Sequence, residues 1–226
     1  MVLTGAGISA ESGIKTFRDA DGLWEGHDVM EVASPQGFAK NPEMVLDFYN
    51  QRRRQLFEVA PNIAHTCLAD LEAHFDVAII TQNVDDLHER AGSSNVLHLH
   101  GELLKVRSVA DEENVLLWKS DLNLGDLCAN GHQLRPHIVW FGEQVPLLEK
   151  AVEITEKADM VIIIGTSMQV YPAAGLINFV APGTPIYFVD PKPSVSNSEY
   201  GNLTIIQKTA VNGTPTLVAD LIDKVL

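Results

Sequence analysis

Two short glycine-containing segments have the residue types that bind phosphate. Gly5-Ala6-Gly7-Ile8-Ser9-Ala10 follows a short apolar run and matches the G-x-G-x-x-G/A pattern, whose backbone amides contact a pyrophosphate at a helix N-terminus. Alone the pattern is weak, because a strand-to-helix turn can need glycine only for its backbone angles. Gly165-Thr166-Ser167 follows another apolar run and offers a second turn. Together the two turns favour a nucleotide that spans both.

A dehydrogenase-type site also needs an acidic residue at a strand end, about 20 residues after the glycine turn. In this sequence that window, 18–24, has the composition of a loop. Hydride transfer is therefore disfavoured.

A polar segment, Thr81-Gln82-Asn83-Val84-Asp85-Asp86-Leu87-His88, follows the apolar run at 77–80. Open α/β sheets bind ligands at the carboxyl edge of their strands, where this segment is expected. Asn83 and Asp85 could bind hydroxyl groups or a carboxamide, although helix capping is the alternative role. Asp86 and His88 are expected to be solvated helix residues.

Two histidines, His98 and His100, alternate with Leu99, so their side chains would share one side of an extended segment. No third and fourth metal ligands follow at short spacing. An imidazole with a pKa of about 6.5 suits proton abstraction at neutral pH. The alternative is a buried, hydrogen-bonded histidine.

Tyr49 and Arg52 are three residues apart on a predicted helix, so they face the same way. A guanidinium beside a phenol could bind a carboxylate, because arginine offers a fork of donors and tyrosine a neutral donor. Alternatively, 52–54 is a solvated run of arginines and Tyr49 packs in the core.

These candidates need a scaffold that brings them together. Apolar, β-branched runs at 77–80, 161–164, 186–189 and 203–206 predict strands that are buried on both faces. Helical patterns cover 42 to about 59, 64–74, 146–157, 172–180 and 215–226. This alternation predicts an α/β fold with a doubly wound parallel (Rossmann-like) sheet and a small inserted module. The core would comprise about 1–16, 62–105 and 137–226, and the module about 17–61 and 106–136.

Composition excludes several classes of protein. The 226 residues contain 16 Lys and Arg against 30 Asp and Glu, a net charge of −14, which disfavours nucleic-acid and anionic-membrane partners. The 2 cysteines, Cys67 and Cys128, are too few for a disulfide framework. The N-terminus lacks the features of a signal peptide, and no apolar run approaches the ~20 residues of a membrane helix. We therefore expect a cytoplasmic location.

In combination, these and further motifs resemble a known family. In chain order they are Gly5-Ala6-Gly7-Ile8-Ser9-Ala10-Glu11-Ser12-Gly13-Ile14, Thr16-Phe17-Arg18, Thr81-Gln82-Asn83-Val84-Asp85, His100-Gly101, Trp140-Phe141-Gly142-Glu143 and Gly165-Thr166-Ser167. Their order and spacing resemble those of the sirtuins over nearly the whole chain. Tyr49-x-x-Arg52 is similar to the pair with which the bacterial deacylase branch and its desuccinylase relatives bind acidic acyl groups.

The resemblance implies NAD-dependent removal of acyl groups, acetyl and succinyl, from lysine side chains of partner proteins. The products would be nicotinamide, O-acyl-ADP-ribose and free lysine. In this reading His100 is the general base on a ribose hydroxyl, and Asn83 and Asp85 are the other catalytic residues. A binding protein for NAD or ADP-ribose, or a mono-ADP-ribosyltransferase, is the alternative.

The resemblance also implies which residues contact each ligand. The cofactor-binding residues would be Gly5, Ala6, Gly7, Ser9, Ala10, Thr16, Phe17, Arg18, Trp24, Gln82, Asn83, Val84, Asp85, Gly165, Thr166, Ser167, Asp190, Pro191, Lys192 and Ala210. The substrate-binding residues would be Tyr49, Arg52, Val139, Phe141, Gly142 and Glu143, with 139–143 pairing with the substrate peptide as a β-strand. Asp190-Pro191-Lys192 departs from the family, which has Asn-x-Glu at this adenosine contact.

The small module departs further from the family pattern. Sirtuins usually have two Cys-x-x-Cys pairs there that hold a structural zinc, but this chain has Ser108 at the first position and only Cys128 and His132 later. Tetrahedral zinc needs four ligands. The sequence therefore predicts no zinc and no other metal, with the module held by packing and hydrogen bonds around Leu116, Leu117 and Trp118.

Overall fold

The computed structural model describes residues 1–15, 23–24, 26–196 and 200–225. Its β-strands are, in chain order, β1 (Val2–Thr4), β2 (Leu23–Trp24), β3 (His27–Asp28), β4 (Ile79–Thr81), β5 (Val96–His98), β6 (Gly101–Ser108), β7 (Val115–Leu117), β8 (Leu134–Ile138), β9 (Val161–Ile164), β10 (Ile186–Val189) and β11 (Leu203–Ile206). Its α-helices are α1 (Val29–Val32), α2 (Pro35–Lys40), α3 (Pro42–Glu58), α4 (Ile63–Leu71), α5 (Leu87–Ala91), α6 (Leu148–Glu156) and α7 (Ala210–Asp223). Within these ranges, no helix is long and apolar enough to cross a membrane.

A parallel sheet forms the centre of the fold, with strand order β11-β10-β9-β1-β4-β5. The chain builds outward from β1 to β4 and β5, and then returns to β9, β10 and β11 on the other side. The order therefore reverses beside β1, where Leu3 pairs with both Ile80 and Ile163. This arrangement confirms the predicted doubly wound sheet and creates a switch point at which ligands bind.

Alternate residues of the sheet pack against helices on opposite faces. Val2, Ile162 and Ile164 face a cluster completed by α4 and α7, whereas Leu3 and Ile163 face a cluster completed by α6 and by the segment 173–179. Side chains of a strand alternate between faces, so burial of both faces requires the continuous apolar runs seen in the sequence.

Two predicted helices differ in the structure. The segment predicted as a helix over 172–180 is a 3-10 helix, Ala173–Phe179. The last helix begins at Ala210, with Pro215 inside it, rather than at the proline. Its N-terminus is held by Glu11, whose carboxylate accepts hydrogen bonds from Thr209 Oγ1 (3.2 Å) and the Val211 N–H (3.3 Å). A carboxylate at this position satisfies helix N–H groups and favours an earlier start.

A second, antiparallel sheet in the order β7-β6-β8 packs with α1, α2 and α3 at the carboxyl edge of the parallel sheet. It spans 101–138, so it begins directly after β5. Asn50 of α3 joins the helix to this region, because its amide donates to the Leu122 carbonyl (3.0 Å) and accepts from the Leu122 N–H (2.8 Å). Arg53 is buried beside it and donates to Asn50 Oδ1 (2.7 Å) and the Leu103 carbonyl (3.2 Å). The alternative of a solvated arginine run is therefore wrong for Arg53.

The core of this module differs from the prediction. Leu116 and Leu117 are 41% and 66% exposed, because they lie on the edge strand β7. Packing instead involves Leu122, Cys128 and Leu134 with Leu46 and Val106. Only the Trp118 part of the prediction holds, since Trp118 packs against this cluster.

Two histidines are buried between α4 and α5. The rings of His65 and His88 lie 5.0 Å apart between centroids, and both are completely buried. The expectation that His88 is solvated is wrong: its Nε2 lies 3.0 Å from Thr4 Oγ1 on β1. Asp86 is half-buried. Burial lowers the pKa of His65 to about 4 and that of His88 to about 3.

We expect the neutral His88 to make stability depend on pH. The unfolded chain binds a proton at this histidine below about pH 6.5, whereas the folded protein does not, so its contribution is complete above that pH and is lost as pH falls. His88→Gln keeps an N–H donor and does not titrate. Between pH 7 and pH 5, wild type should lose about 2 kcal/mol of unfolding free energy relative to His88→Gln, measured by urea denaturation.

His74→Gln is the matched control, because it makes the same substitution at an exposed histidine outside the buried pair. A pH-independent difference for His88→Gln would contradict a neutral, buried His88.

Candidate functional site

The two glycine turns touch each other backbone to backbone at the carboxyl edge of the parallel sheet. The Gly7 N–H donates to the Gly165 carbonyl (2.8 Å), and the Gly5 N–H donates to the Ile164 carbonyl (3.1 Å). A Cβ added to Gly7 would lie 2.6 Å from Gly165 Cα, and Gly165 has a φ of +62°. Neither glycine can therefore be replaced without moving the other turn.

A cavity of about 560 Å³ opens beside these turns. Every site residue predicted from the sequence that the structure describes lies on its wall. These residues are Gly5, Ala6, Gly7, Ser9, Ala10, Trp24, Tyr49, Arg52, Gln82, Asn83, Val84, Asp85, His100, Val139, Phe141, Gly142, Glu143, Gly165, Thr166, Ser167, Asp190, Pro191, Lys192 and Ala210. Thr16, Phe17 and Arg18 lie outside the described residues.

Sequence reasoning missed several residues on the same wall. Glu11 and Thr209 lie next to predicted residues and contact each other, whereas Tyr171 and Leu103 come from segments without any polar motif. Trp140 lies within the segment predicted to pair with the substrate peptide, but it was not among the predicted substrate-binding residues. Its place between Val139 and Phe141 was the one available signal.

Ser9, Asn83 and Asp85 form a buried polar cluster behind the glycine turn. Ser9 Oγ donates to Asp85 Oδ2 (3.0 Å) and accepts from Asn83 Nδ2 (3.1 Å). The Asn62 N–H donates to His65 Nδ1 (3.3 Å), so the proton of the neutral His65 ring is on Nε2, 3.4 Å from Ser9 Oγ. Each hydrogen bond fixes the direction of the next one.

Burial raises the pKa of Asp85 to about 6, and hydrogen bonds from the Leu87 N–H and Ser9 offset only part of this effect. Both the protonated and the ionised form of this carboxyl group are therefore populated near neutral pH. Such a group in a cleft is a candidate for a functional role.

The two histidines of the H-x-H segment have different environments. His98 donates from Nδ1 to the Asn83 carbonyl (3.0 Å), and its Nε2 lies 2.7 Å from Glu89 Oε1. Burial alone would lower the pKa of His98, but Glu89 outweighs it and the pKa is raised. His98 is therefore a structural partner of Glu89, whose carboxylate favours the protonated form of the ring.

His100 donates from Nδ1 to the Gln82 carbonyl (3.0 Å), so the lone pair of its neutral ring is on Nε2. Burial lowers the pKa of His100, although the bond to Gln82 opposes the shift. A neutral ring with a fixed tautomer at the cavity wall has the properties of a general base.

Gln82 also connects the two halves of the edge, because its Nε2 donates to Thr166 Oγ1 (2.9 Å). On the far side of the cavity, Asp190 is 1% exposed and its Oδ1 accepts from the Lys192 N–H (2.8 Å). The carboxylate thereby stabilises the loop after β10.

Tyr49 is fully buried in the module core, and its hydroxyl accepts a hydrogen bond from Trp140 Nε1 (2.9 Å). The Arg52 guanidinium lies over the Phe48 ring at 4.5 Å. Burial raises the pKa of Tyr49 well above its ordinary value, with Trp140, Arg135 and Arg52 opposing the shift, so the phenol stays protonated at neutral pH.

The residues present suit a dinucleotide but not a structural zinc. A diphosphate and ribose site needs glycine-containing turns together with hydroxyl, amide and carboxyl groups, and this sheet edge has both. In the module, Cys128 Sγ donates to Ser108 Oγ (3.5 Å). Across the described ranges, no three His, Cys, Asp or Glu side chains are grouped to hold a metal ion.

The Gln133 side chain ties together the loop that follows β7. The two hydrogens of its Nε2 are shared among the carbonyls of Asn123 (3.1 Å), Asp126 (3.2 Å) and Leu134 (2.9 Å), and its Oε1 accepts from the Gly125 N–H (2.9 Å). One amide thus connects several turns of this region by hydrogen bonds.

Comparisons with known proteins agree with this architecture. A Helicobacter pylori protein named NAD-dependent protein deacylase is 62% identical over 223 residues, which cover 99% of this chain and 97% of that protein. A protein of the same name from Bacteroides thetaiotaomicron is 52% identical over 96% of this chain and 95% of its own length.

Solved structures are similar as well. A Sir2 homologue in complex with NAD has a TM-score of 0.89 and 41% identity, covering 100% of this chain and 90% of its own. A Sir2 variant with a deacetylated p53 peptide and 3′-O-acetyl ADP-ribose has a TM-score of 0.81 and 30% identity, covering 97% of this chain and 92% of its own.

The family model described as the Sir2 family matches residues 5–172, which include the glycine turn, the polar loop after β4, His100 and the second turn at Gly165. With this match over most of the chain and relatives above 50% identity, the chain belongs to the Sir2 family.

Proposed function

We propose that this protein is an NAD-dependent protein-lysine deacylase that removes acetyl and succinyl groups and yields nicotinamide, O-acyl-ADP-ribose and free lysine. The main support is that one cavity is lined by the two glycine turns, by the buried Ser9-Asn83-Asp85 cluster and by His100 in a fixed tautomer. The names of the closely similar bacterial relatives support the same activity.

NAD supplies a ribose carbon that becomes electrophilic as nicotinamide leaves. The turns at Gly5–Gly7 and Gly165–Ser167 would hold its diphosphate and adenosine side without any need for basic residues. The N–H groups of Gly5, Gly7 and Gly165 already donate to protein carbonyls, so the donors would be the N–H groups of Ala6, Thr166 and Ser167. The loop at Asp190–Lys192 and the start of α7 at Ala210 would border the adenosine. A net charge of −14 is therefore compatible with a dinucleotide.

The polar cluster would hold the ribose and nicotinamide side. Ser9 fixes both Asn83 and Asp85, so the remaining amide and carboxyl atoms have defined directions before a ligand arrives. Such preorganisation avoids the cost of reorienting polar groups during reaction. His100 would then take a proton from a ribose hydroxyl at Nε2.

The substrate peptide would lie along 139–143, but the available backbone groups are few. The N–H groups of Val139 and Phe141 already donate to the carbonyls of His100 and Ala33 (2.9 Å each), and the Glu143 N–H donates to Trp140. Pairing with a peptide would therefore use the Gly142 N–H and the carbonyl groups of the segment.

Tyr49 and Arg52 would bind the carboxylate of a succinyl group. Tyr49 stays protonated, and the guanidinium of Arg52 lies on the same cavity wall. A charge-assisted pair of donors favours an acidic acyl chain over acetyl.

The net negative charge of the protein would attract lysine-rich substrate segments in a salt-dependent way. The same charge would repel nucleic acids and anionic membranes, so we propose neither as a partner.

The parallel-sheet core would bind NAD, and the antiparallel sheet with α1 to α3 would form the small module beside it.

We also propose that the protein is located in the cytoplasm. The acyl group ends on ADP-ribose and one water is consumed as the lysine amine is released, so the reaction is a transfer of the acyl group.

The small module would fold without zinc, held by the Gln133 amide and the packing around Leu122, Cys128 and Leu134. Purified protein should contain far less than one zinc per chain by elemental analysis, and EDTA should leave its unfolding midpoint unchanged. Gln133→Ala should cost about 1 kcal/mol of unfolding free energy, because it removes hydrogen bonds to exposed and partly buried carbonyls. One tightly bound zinc per chain would contradict this account.

His100→Ala tests the proposed base. Deacylated product should form at least about a hundredfold more slowly, because a positioned base contributes that much or more. Exchange of labelled nicotinamide into NAD should persist, since nicotinamide leaves before His100 acts. In wild type, the lowered pKa of His100 favours the neutral ring, so the deacylation rate should not fall between pH 8 and about pH 6.5.

Equal loss of exchange and product in His100→Ala would show that His100 only supports the binding of NAD. Unchanged product formation would rule it out as the base.

A further inference from the structure

Tyr49 has only one hydrogen-bond partner among the described residues, the indole of Trp140, at 2.9 Å. An indole N–H can only donate, so the phenol oxygen must accept. The O–H hydrogen of Tyr49 is then directed away from Trp140 and is left for another acceptor. Both side chains lie on the cavity wall together with Arg52.

Trp140 is itself held from several sides. The Arg135 guanidinium stacks on its ring at 3.4 Å, and its backbone N–H donates to Glu143 Oε2 (2.8 Å). Glu143 accepts further hydrogen bonds from Arg135 (2.6 and 3.1 Å) and Arg107 (3.2 Å). Burial alone would raise the pKa of Glu143, but these partners lower it, so it stays ionised. The indole therefore has little rotational freedom.

We infer that Trp140 is a positioning residue for acyl selectivity: its N–H fixes the Tyr49 phenol as a donor toward the acyl group. This inference rests on the proposed deacylase function. Without the indole N–H, the phenol could rotate and donate elsewhere, and an acidic acyl chain would lose an aligned donor. An acetyl group has no carboxylate, so its binding should not depend on this donor.

The experiment compares matched succinyl-lysine and acetyl-lysine peptides. Tyr49→Phe should raise the KM for the succinyl peptide about tenfold, the value of one hydrogen bond to a charged group. Trp140→Phe should raise it about threefold or more beyond any change in the KM for the acetyl peptide. The double variant should be no worse than Tyr49→Phe, because both changes remove the same donor.

Phe38→Leu is the matched control. Phe38 packs on the Trp140 ring with centroids 5.3 Å apart, so Phe38→Leu removes one ring contact while the indole N–H and its supports from Arg135 and Glu143 remain. Both peptides should change by the same factor. If Trp140→Phe does not fold, replacement of Trp140 by 3-benzothienylalanine keeps the ring shape and removes the donor.

Arg52→Met separates the inference from the function on which it rests. If Arg52→Met lowers the succinyl-to-acetyl ratio and Trp140→Phe leaves it unchanged, the role of Trp140 is wrong and the acidic-acyl proposal stands. If Arg52→Met leaves the ratio unchanged, Arg52 does not bind the succinyl carboxylate, and the role inferred for Trp140 is wrong as well. Absence of turnover in wild type would overturn the deacylase proposal itself.

Discussion

The contact between the two glycine turns is the constraint on which the site depends. Gly7 and Gly165 meet backbone to backbone, with no room for a Cβ on either side. The contact closes the edge of the sheet where strand order reverses, between β1 and β9. It therefore sets the distance between the two turns that would hold opposite ends of a dinucleotide, and every other wall of the cavity is positioned relative to it.

A layer of buried polar groups lies immediately below this edge and supplies its chemistry. Thr4 Oγ1 donates to Thr81 Oγ1 (2.8 Å) across β1 and β4, and Thr81 Oγ1 accepts from the Asn83 N–H (3.0 Å). The same layer contains His88 and, through Ser9, His65. Buried polar groups cost free energy unless they are paired, so a paired network of this kind holds its members in one arrangement. Asn83 and Asp85 are fixed by it before any ligand binds.

The sequence predicted the parallel sheet because its strands are buried on both faces, which requires apolar runs such as 161–164. It also predicted the site, because the carboxyl ends of such strands must meet at one edge. It did not predict the burial of His88 or the exposure of Leu116 and Leu117. Those depend on contacts between distant segments: His88 reaches Thr4, 84 residues away, and Leu117 lies on a sheet edge that nothing described covers. Local pattern contains no information on either contact.

In the proposed function, this cavity couples cleavage of NAD to removal of an acyl group from lysine. Incubation with NAD and an acyl-lysine peptide, followed by quantitative mass spectrometry of all products, tests it most directly. Nicotinamide, O-acyl-ADP-ribose and free-lysine peptide should form in equal amounts. ADP-ribose attached to peptide or protein, or NAD that binds and is recovered intact, would contradict it.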